Sequence, residues 1–225
     1  MGVAVSCPRC GGPVRPPDLM HSEWRCDDDG AVLPLHVAHH IGPEIVEAAR
    51  AKLLAAAQRA GIRPTPLWCP WPLPSGWTVT GVGLVGDERS GVRATAVACS
   101  GPGPVERGPA DCVIVAEEPG VGLGNRFAGM PGTDPGPFFE GDLATTIAHA
   151  KVRAAGWPTP LWMTKSPDDR TAYVGEAMGM WLYFVTWPAA AGYLLEEEID
   201  LHDLTEDVPT HLVFGAPSPY LHGKA

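Results

Sequence analysis

The sequence predicts an α+β fold in which a small N-terminal cysteine knuckle precedes an antiparallel-sheet domain carrying two helices. Three observations predict it. Cysteines cluster at Cys7, Cys10 and Cys26. An apolar stripe at helical spacing runs from Pro43 to Ala60. Short apolar runs separated by Gly, Ser and Pro then fill most of the remaining chain, as strands and turns do.

Residues 1–36 read as a zinc-ribbon-like knuckle. Cys7-Pro-Arg-Cys10 is followed by Gly11-Gly12, and fifteen residues separate Cys10 from Cys26. A C-x-x-C turn aims two sulfurs at one point, and glycine after it permits the tight backbone. A full ribbon would carry a fourth cysteine at position 29, where this chain has Asp29. The expected ligands are Cys7, Cys10, Cys26 and Asp29 around a structural Zn²⁺, with His36, His21 or water as alternatives to Asp29. A ribbon that has lost its metal is a second reading. A thioredoxin-type dithiol is a third, disfavoured because Gly11, Gly12 and Pro13 forbid the helix such a motif opens. His39-His40 could bind metal but reads as a solvent-exposed pair.

The main domain is expected over residues 37–225. Pro43 suits a first helical position and Gly61 a C-terminal cap. Ile45, Ala49, Leu53, Ala56 and Ala60 form the stripe between them. Pro64-Thr-Pro-Leu-Trp68 follows and recurs as Pro158-Thr-Pro-Leu-Trp162. A second helix is expected before that copy, capped by Asp142, striped by Leu143, Ile147 and Ala154, and stopped by Gly156. An internal duplication with halves at 43–141 and 142–225 is therefore expected, against a coincidental Pro/Trp loop used twice. Strands are expected over 77–85, 92–99, 112–118, 172–177, 180–187 and 192–201. Residues 120–137 read as a long Gly/Pro loop and residues 216–225 as a fraying tail.

Charge and composition narrow the function. Lys+Arg number 16 against 26 Asp+Glu, a net −10, which disfavours bulk nucleic-acid binding. The acidic residues between Glu196 and Asp207 read as a solvated edge. No apolar run approaches the ~20 residues that span a bilayer, and no signal peptide is visible, so a cytoplasmic protein with unbridged cysteines is expected. Met1-Gly2 with Ser6 matches the N-myristoylation pattern, a short and often accidental match.

Gly81-Val-Gly83-Leu-Val-Gly86 spells a dinucleotide fingerprint, but Asp87–Gly91 after it reads as a hairpin turn, so the cofactor reading is rejected. Glu117 and Glu118 are neighbours on a strand and face opposite ways. The leading expectation is a binding or interaction protein, its partner a protein or a small ligand. The alternative is an enzyme with an anion or small-molecule pocket built from the 120–137 loop, Arg126 and the Trp-rich loop 68–77. Convergence of those loops in one pocket would favour the enzyme.

Ser6-Cys-Pro-Arg-Cys-Gly-Gly12 with Trp24-x-Cys26 resembles the start of an uncharacterised actinobacterial family, a domain of unknown function. Trp71-Pro-Leu-Pro-x-Gly-Trp77, Arg93-Ala-Thr-Ala-Val-Ala-Cys-Ser-Gly-Pro-Gly-Pro104 and Pro158–Trp162 extend the resemblance over most of the chain. It implies a bacterial cytosolic protein, would void the myristoylation match, and implies no activity. It also implies histidine where this chain has Asp29.

Overall fold

The computed structural model describes residues 3–105, 108–136, 139 and 146–221 of the 225-residue chain. The myristoylation match at Met1-Gly2 and the expected cap and stripe residues Asp142 and Leu143 lie outside the described residues.

The chain opens with β1 (Val3–Ser6), passes through the short strands β2 (Val14–Arg15), β3 (Arg25–Cys26) and β4 (Gly30–Ala31), and returns in β5 (Leu35–Ala38). β2, β3 and β4 form a small antiparallel sheet of their own. β1 and β5 pair with each other, Ser6 opposite Leu35, and join the large sheet through β5. The knuckle thus hangs between two paired strands of the main body.

Helix α1 (Pro43–Ala60) forms where expected, with proline in its first turn. Gly61 takes φ 66, so its N–H and that of Ile62 reach back to the carbonyls of Gln58 and Ala57. Ile45, Val46, Ala49, Leu53, Ala56 and Ala57 are buried, while Ala60 stays exposed. Then follow β6 (Trp68–Pro70), β7 (Thr78–Asp87), β8 (Gly91–Pro102), β9 (Pro109–Glu117) and the short helix α2 (Leu123–Ala128). β10 (Ala150–Ala154), β11 (Trp157–Met163), β12 (Thr171–Ala177), β13 (Met180–Trp187), a 3-10 helix (Ala189–Glu196) and β14 (Ile199–Asp203) complete the body.

Eleven strands make one sheet in the order β1-β5-β7-β8-β9-β13-β12-β11-β10-β14-β6. All neighbours are antiparallel except β10 and β14. Alternation along the central strands sends side chains to two cores. Val97, Cys99, Cys112, Ile114, Leu182 and Phe184 face one way, toward α1, β6 and the 3-10 helix. Ala96, Ala98, Val113, Val115, Tyr183 and Val185 face the other way, toward Leu123 and Phe127 of α2 and toward Leu221. Both faces of the sheet are covered, which is why its central strands read as nearly continuous apolar runs.

Four expectations need correction. The helix expected over 142–156 is absent where the structure describes it: Ala150–Ala154 is a strand, and Ile147 is exposed. Ala150, Val152 and Ala154 are buried and Lys151 and Arg153 are not, a period of two rather than of 3.6. Ala155 and Gly156, both at positive φ, join β10 to β11 as a two-residue hairpin turn, so Gly156 marks a hairpin and not a helix stop. The two Pro-Thr-Pro-Leu-Trp copies consequently sit in different settings, one leading into β6 after α1 and one inside β11. Next, the 120–137 loop contains α2. Third, residues 192–196 belong to the 3-10 helix, and only Ile199–Asp203 is a strand. Finally, the tail is packed through residue 221: Tyr220 stacks on Trp187 at 4.4 Å and Leu221 is buried.

Candidate metal centre

Gly11 at φ +79 and Gly30 at φ +71 turn the backbone after each half of the knuckle. Those turns aim backbone N–H groups at sulfur. The N–H of Arg9 donates to Cys7 Sγ and that of Gly12 to Cys10 Sγ, both at 3.4 Å. The N–H groups of Asp28 and Asp29 do the same for Cys26.

The structure brings Cys7, Cys10, Cys26 and Asp29 together, one ligand atom from each lying within 4.8 Å of all the others. Asp29 Oδ2 is 3.2 Å from Cys7 Sγ and 3.7 Å from Cys26 Sγ, and Cys10 Sγ is 3.5 Å from Cys26 Sγ. A tetrahedron with metal–sulfur bonds of about 2.3 Å and metal–oxygen of about 2.0 Å has edges of about 3.5–3.8 Å. The donor set therefore fits one four-coordinate cation. His36 is elsewhere, its Nε2 3.1 Å from the Gly86 carbonyl on the large sheet. His21 lies in the turn at the knuckle tip beside Asp18. Neither joins the cluster.

The cluster's own electrostatics are mixed. Burial pushes up the thiols of Cys7 and Cys10, the latter to about 12. Burial also works to raise Cys26 and Asp29, but the Asp29 and Asp28 N–H groups lower Cys26, and the surrounding thiols lower Asp29. A divalent cation holds such thiols as thiolates. Three thiolates and a carboxylate would carry four negative charges, of which a divalent cation bound there would offset two.

Two arginines supply positive charge at this spot and dock the knuckle. Arg126 of α2 donates to the Cys7 carbonyl at 3.4 Å, and its Nη2 lies 2.7 Å from where a Cβ on Gly11 would be. Arg9 reaches the other way, to the carbonyls of Gly120 and Val121 at 3.0 and 3.2 Å. Burial lowers the pKa of Arg126, and the Cys7 and Cys10 sulfurs counter that shift. A groove of about 520 Å³, lined in part by Arg9, Trp24, Leu33, Asp87 and Val121, separates the knuckle from the β7–β8 hairpin.

The loops weighed as an enzyme pocket do not converge. Trp68, Cys69 and Trp77 pack on one face of the sheet, while Leu123 and Phe127, which follow the Gly120–Gly124 segment, pack on the other. The rejected dinucleotide fingerprint lies inside β7, where Gly81 and Gly83 make room for Leu221.

Sequence reasoning sets Glu117 aside as one of two adjacent strand glutamates facing opposite ways and does not anticipate its burial. Its side chain is fully buried, and its Oε2 accepts from the N–H groups of Leu123 and Gly124 at 2.7 and 3.2 Å. Oε1 has no hydrogen-bond partner among the described residues. Burial raises its pKa to about 7, against the opposing pull of those N–H groups and of Tyr183. A glutamate ending an apolar strand, followed by Glu118 and then Pro119-Gly120, was the only signal available.

Across residues 1–221 the chain matches the profile of a family of unknown function (DUF6758). No curated protein and no solved structure matches it.

Proposed function

We propose that this chain, which belongs to the DUF6758 family, is an interaction protein of the bacterial cytoplasm whose Cys7–Cys10–Cys26–Asp29 centre holds a structural Zn²⁺. Closure of the site supports the structural role. All four tetrahedral positions have a protein donor within reach, so no position is kept open for water or substrate. Thiolate-rich donors suit zinc better than magnesium or calcium. Six unbridged cysteines suit a reducing compartment.

The observation that carries the interaction reading is the tip of the knuckle. Asp18 Oδ1 accepts from the N–H groups of Met20 and His21 at 2.7 and 2.8 Å, and the Asp18 N–H donates to the His21 carbonyl. This closed turn holds Leu19 and Met20 outward at 104% and 84% exposure. Two adjacent large apolar side chains, held in water by a rigid turn above a metal-pinned base, suit contact with a partner protein.

Metal analysis of the purified chain tests the first half. One zinc per chain, lost in Cys26→Ala, is expected; protein purified without chelator and free of metal would overturn it. Capture of a defined partner by the wild type, abolished both by Leu19→Ser with Met20→Ser and by chelation, is expected for the second. Capture that survives the double substitution would remove the tip from the interface.

A further inference from the structure

We infer that the cleft between the C-terminal end of α1 and the β7–β8 hairpin binds a phosphate group carried on a small molecule. The cleft encloses about 280 Å³ and is lined on one side by Arg59, Ile62 and Arg63 and on the other by Arg89, Ser90 and Arg93. Its walls are fixed. The Asp87 carboxylate accepts from the N–H groups of Arg89 and Ser90 at 3.0 and 2.6 Å, which sets the hairpin turn. The Thr65 hydroxyl donates to the Val92 carbonyl at 2.8 Å, which ties the segment after α1 to β8.

The arginines are what single this cleft out. Elsewhere in the described residues, arginine side chains have partners: Arg15 with Asp27, Arg153 with Glu198 and Asp200, Arg170 with Asp169, Arg126 with the Cys7 carbonyl. Arg93 pairs with Glu118. Among the described arginines, Arg59, Arg63 and Arg89 alone make no side-chain hydrogen bond or ion pair, and all three line this cleft, Arg89 bordering the groove beside the knuckle as well. Glu88 is the sole acid in its lining. In a chain with 26 acidic against 16 basic residues, such a cluster is the reverse of what charge pairing would produce. Arg59 can offset the dipole at the end of α1. Arg89 comes from the opposite wall and has no such role.

Guanidinium forks from two walls match the tetrahedral oxygens of a phosphate, and the Ser90 hydroxyl and exposed Ile62 leave room for a polar and an apolar neighbour. The small volume and the net charge of −10 favour a small phosphorylated compound over a nucleic-acid strand. None of these residues belongs to the Cys/Asp cluster, so this site stands or falls apart from the metal.

The test is calorimetric titration of the full-length protein at low ionic strength with inorganic pyrophosphate, with a nucleoside monophosphate and with an oligothymidylate. Expected is one saturable site per chain for pyrophosphate or the monophosphate, the tighter of the two identifying free or esterified phosphate as the source. Arg63→Gln and Arg89→Gln should each weaken it about tenfold, with Arg15→Gln unchanged. All these positions are exposed, so circular dichroism should be unaltered. Absence of saturation, or equal affinity in Arg63→Gln and Arg89→Gln, overturns the site. Tighter oligothymidylate binding with a steep salt dependence overturns the small-molecule assignment in favour of a nucleic-acid strand.

Discussion

Glu117 shows how one side chain sets a pH dependence. Its carboxyl titrates near 7 in the folded chain because burial disfavours the anion, against an ordinary value of 4.5. A raised carboxyl pKa means the folded state holds the proton more tightly than the unfolded state. Stability is therefore highest below pH 4.5 for this group and falls as pH rises toward 7, by about 3 kcal/mol. Glu117→Gln keeps an acceptor for the Leu123 and Gly124 N–H groups and removes the ionisation. Urea denaturation at pH 5 and pH 8 should show a smaller loss of stability with rising pH in Glu117→Gln than in the wild type; an identical pH profile would refute the assignment. Gly11 offers a second case. Its φ of +79 and the Arg126 guanidinium leave no room for a side chain, so Gly11→Ala should cost about 1 kcal/mol or more at the knuckle. Faster amide hydrogen exchange confined to the knuckle is the readout. The cysteines were legible in sequence because spacing alone carries C-x-x-C. Arg126 as the docking arginine was not, because no local pattern announces a contact across 119 residues.

At the scale of elements, α1 was readable from its helical period and the central strands from short, nearly continuous apolar runs bounded by turn residues. Ala150–Ala154 was not, since an Ala-rich stretch ending in glycine suits either period until its pairing with β11 decides it. The tail illustrates a related failure. Its Pro and Gly content suggests looseness, yet the Gly215 N–H donates to the Val79 carbonyl and Leu221 fills the space left by Gly81 and Gly83. The glycines of the false fingerprint and the tail are two halves of one packing arrangement, separated by more than a hundred residues. Leu221→Ala should therefore cost about 2–5 kcal/mol, seen as a lowered Tm, whereas a freely frayed tail would leave Tm unmoved.

For the whole molecule, the metal proposed for the cluster makes the knuckle and the sheet respond differently to chelation. The knuckle's own apolar cluster is only Cys7, Cys26 and Val32, with Val14 against it. So small a core cannot hold its fold without a cross-link. The sheet has two large cores independent of the cluster. Chelation, or acid that protonates the thiolates, should raise hydrogen exchange across residues 7–34 and leave the central strands protected. Global unfolding on chelation would show that the metal supports the sheet as well.

The pairing of Ser6 with Leu35 carries one more implication. Entry to the knuckle and exit from it stand side by side across a single rung of the ladder. In topological terms, residues 7–34 are a pendant on a hairpin, and the body needs nothing from them to complete its strand order. A two-residue Asn-Gly connection could stand in their place. The pendant could equally be exchanged for another of different shape, letting one scaffold carry different heads.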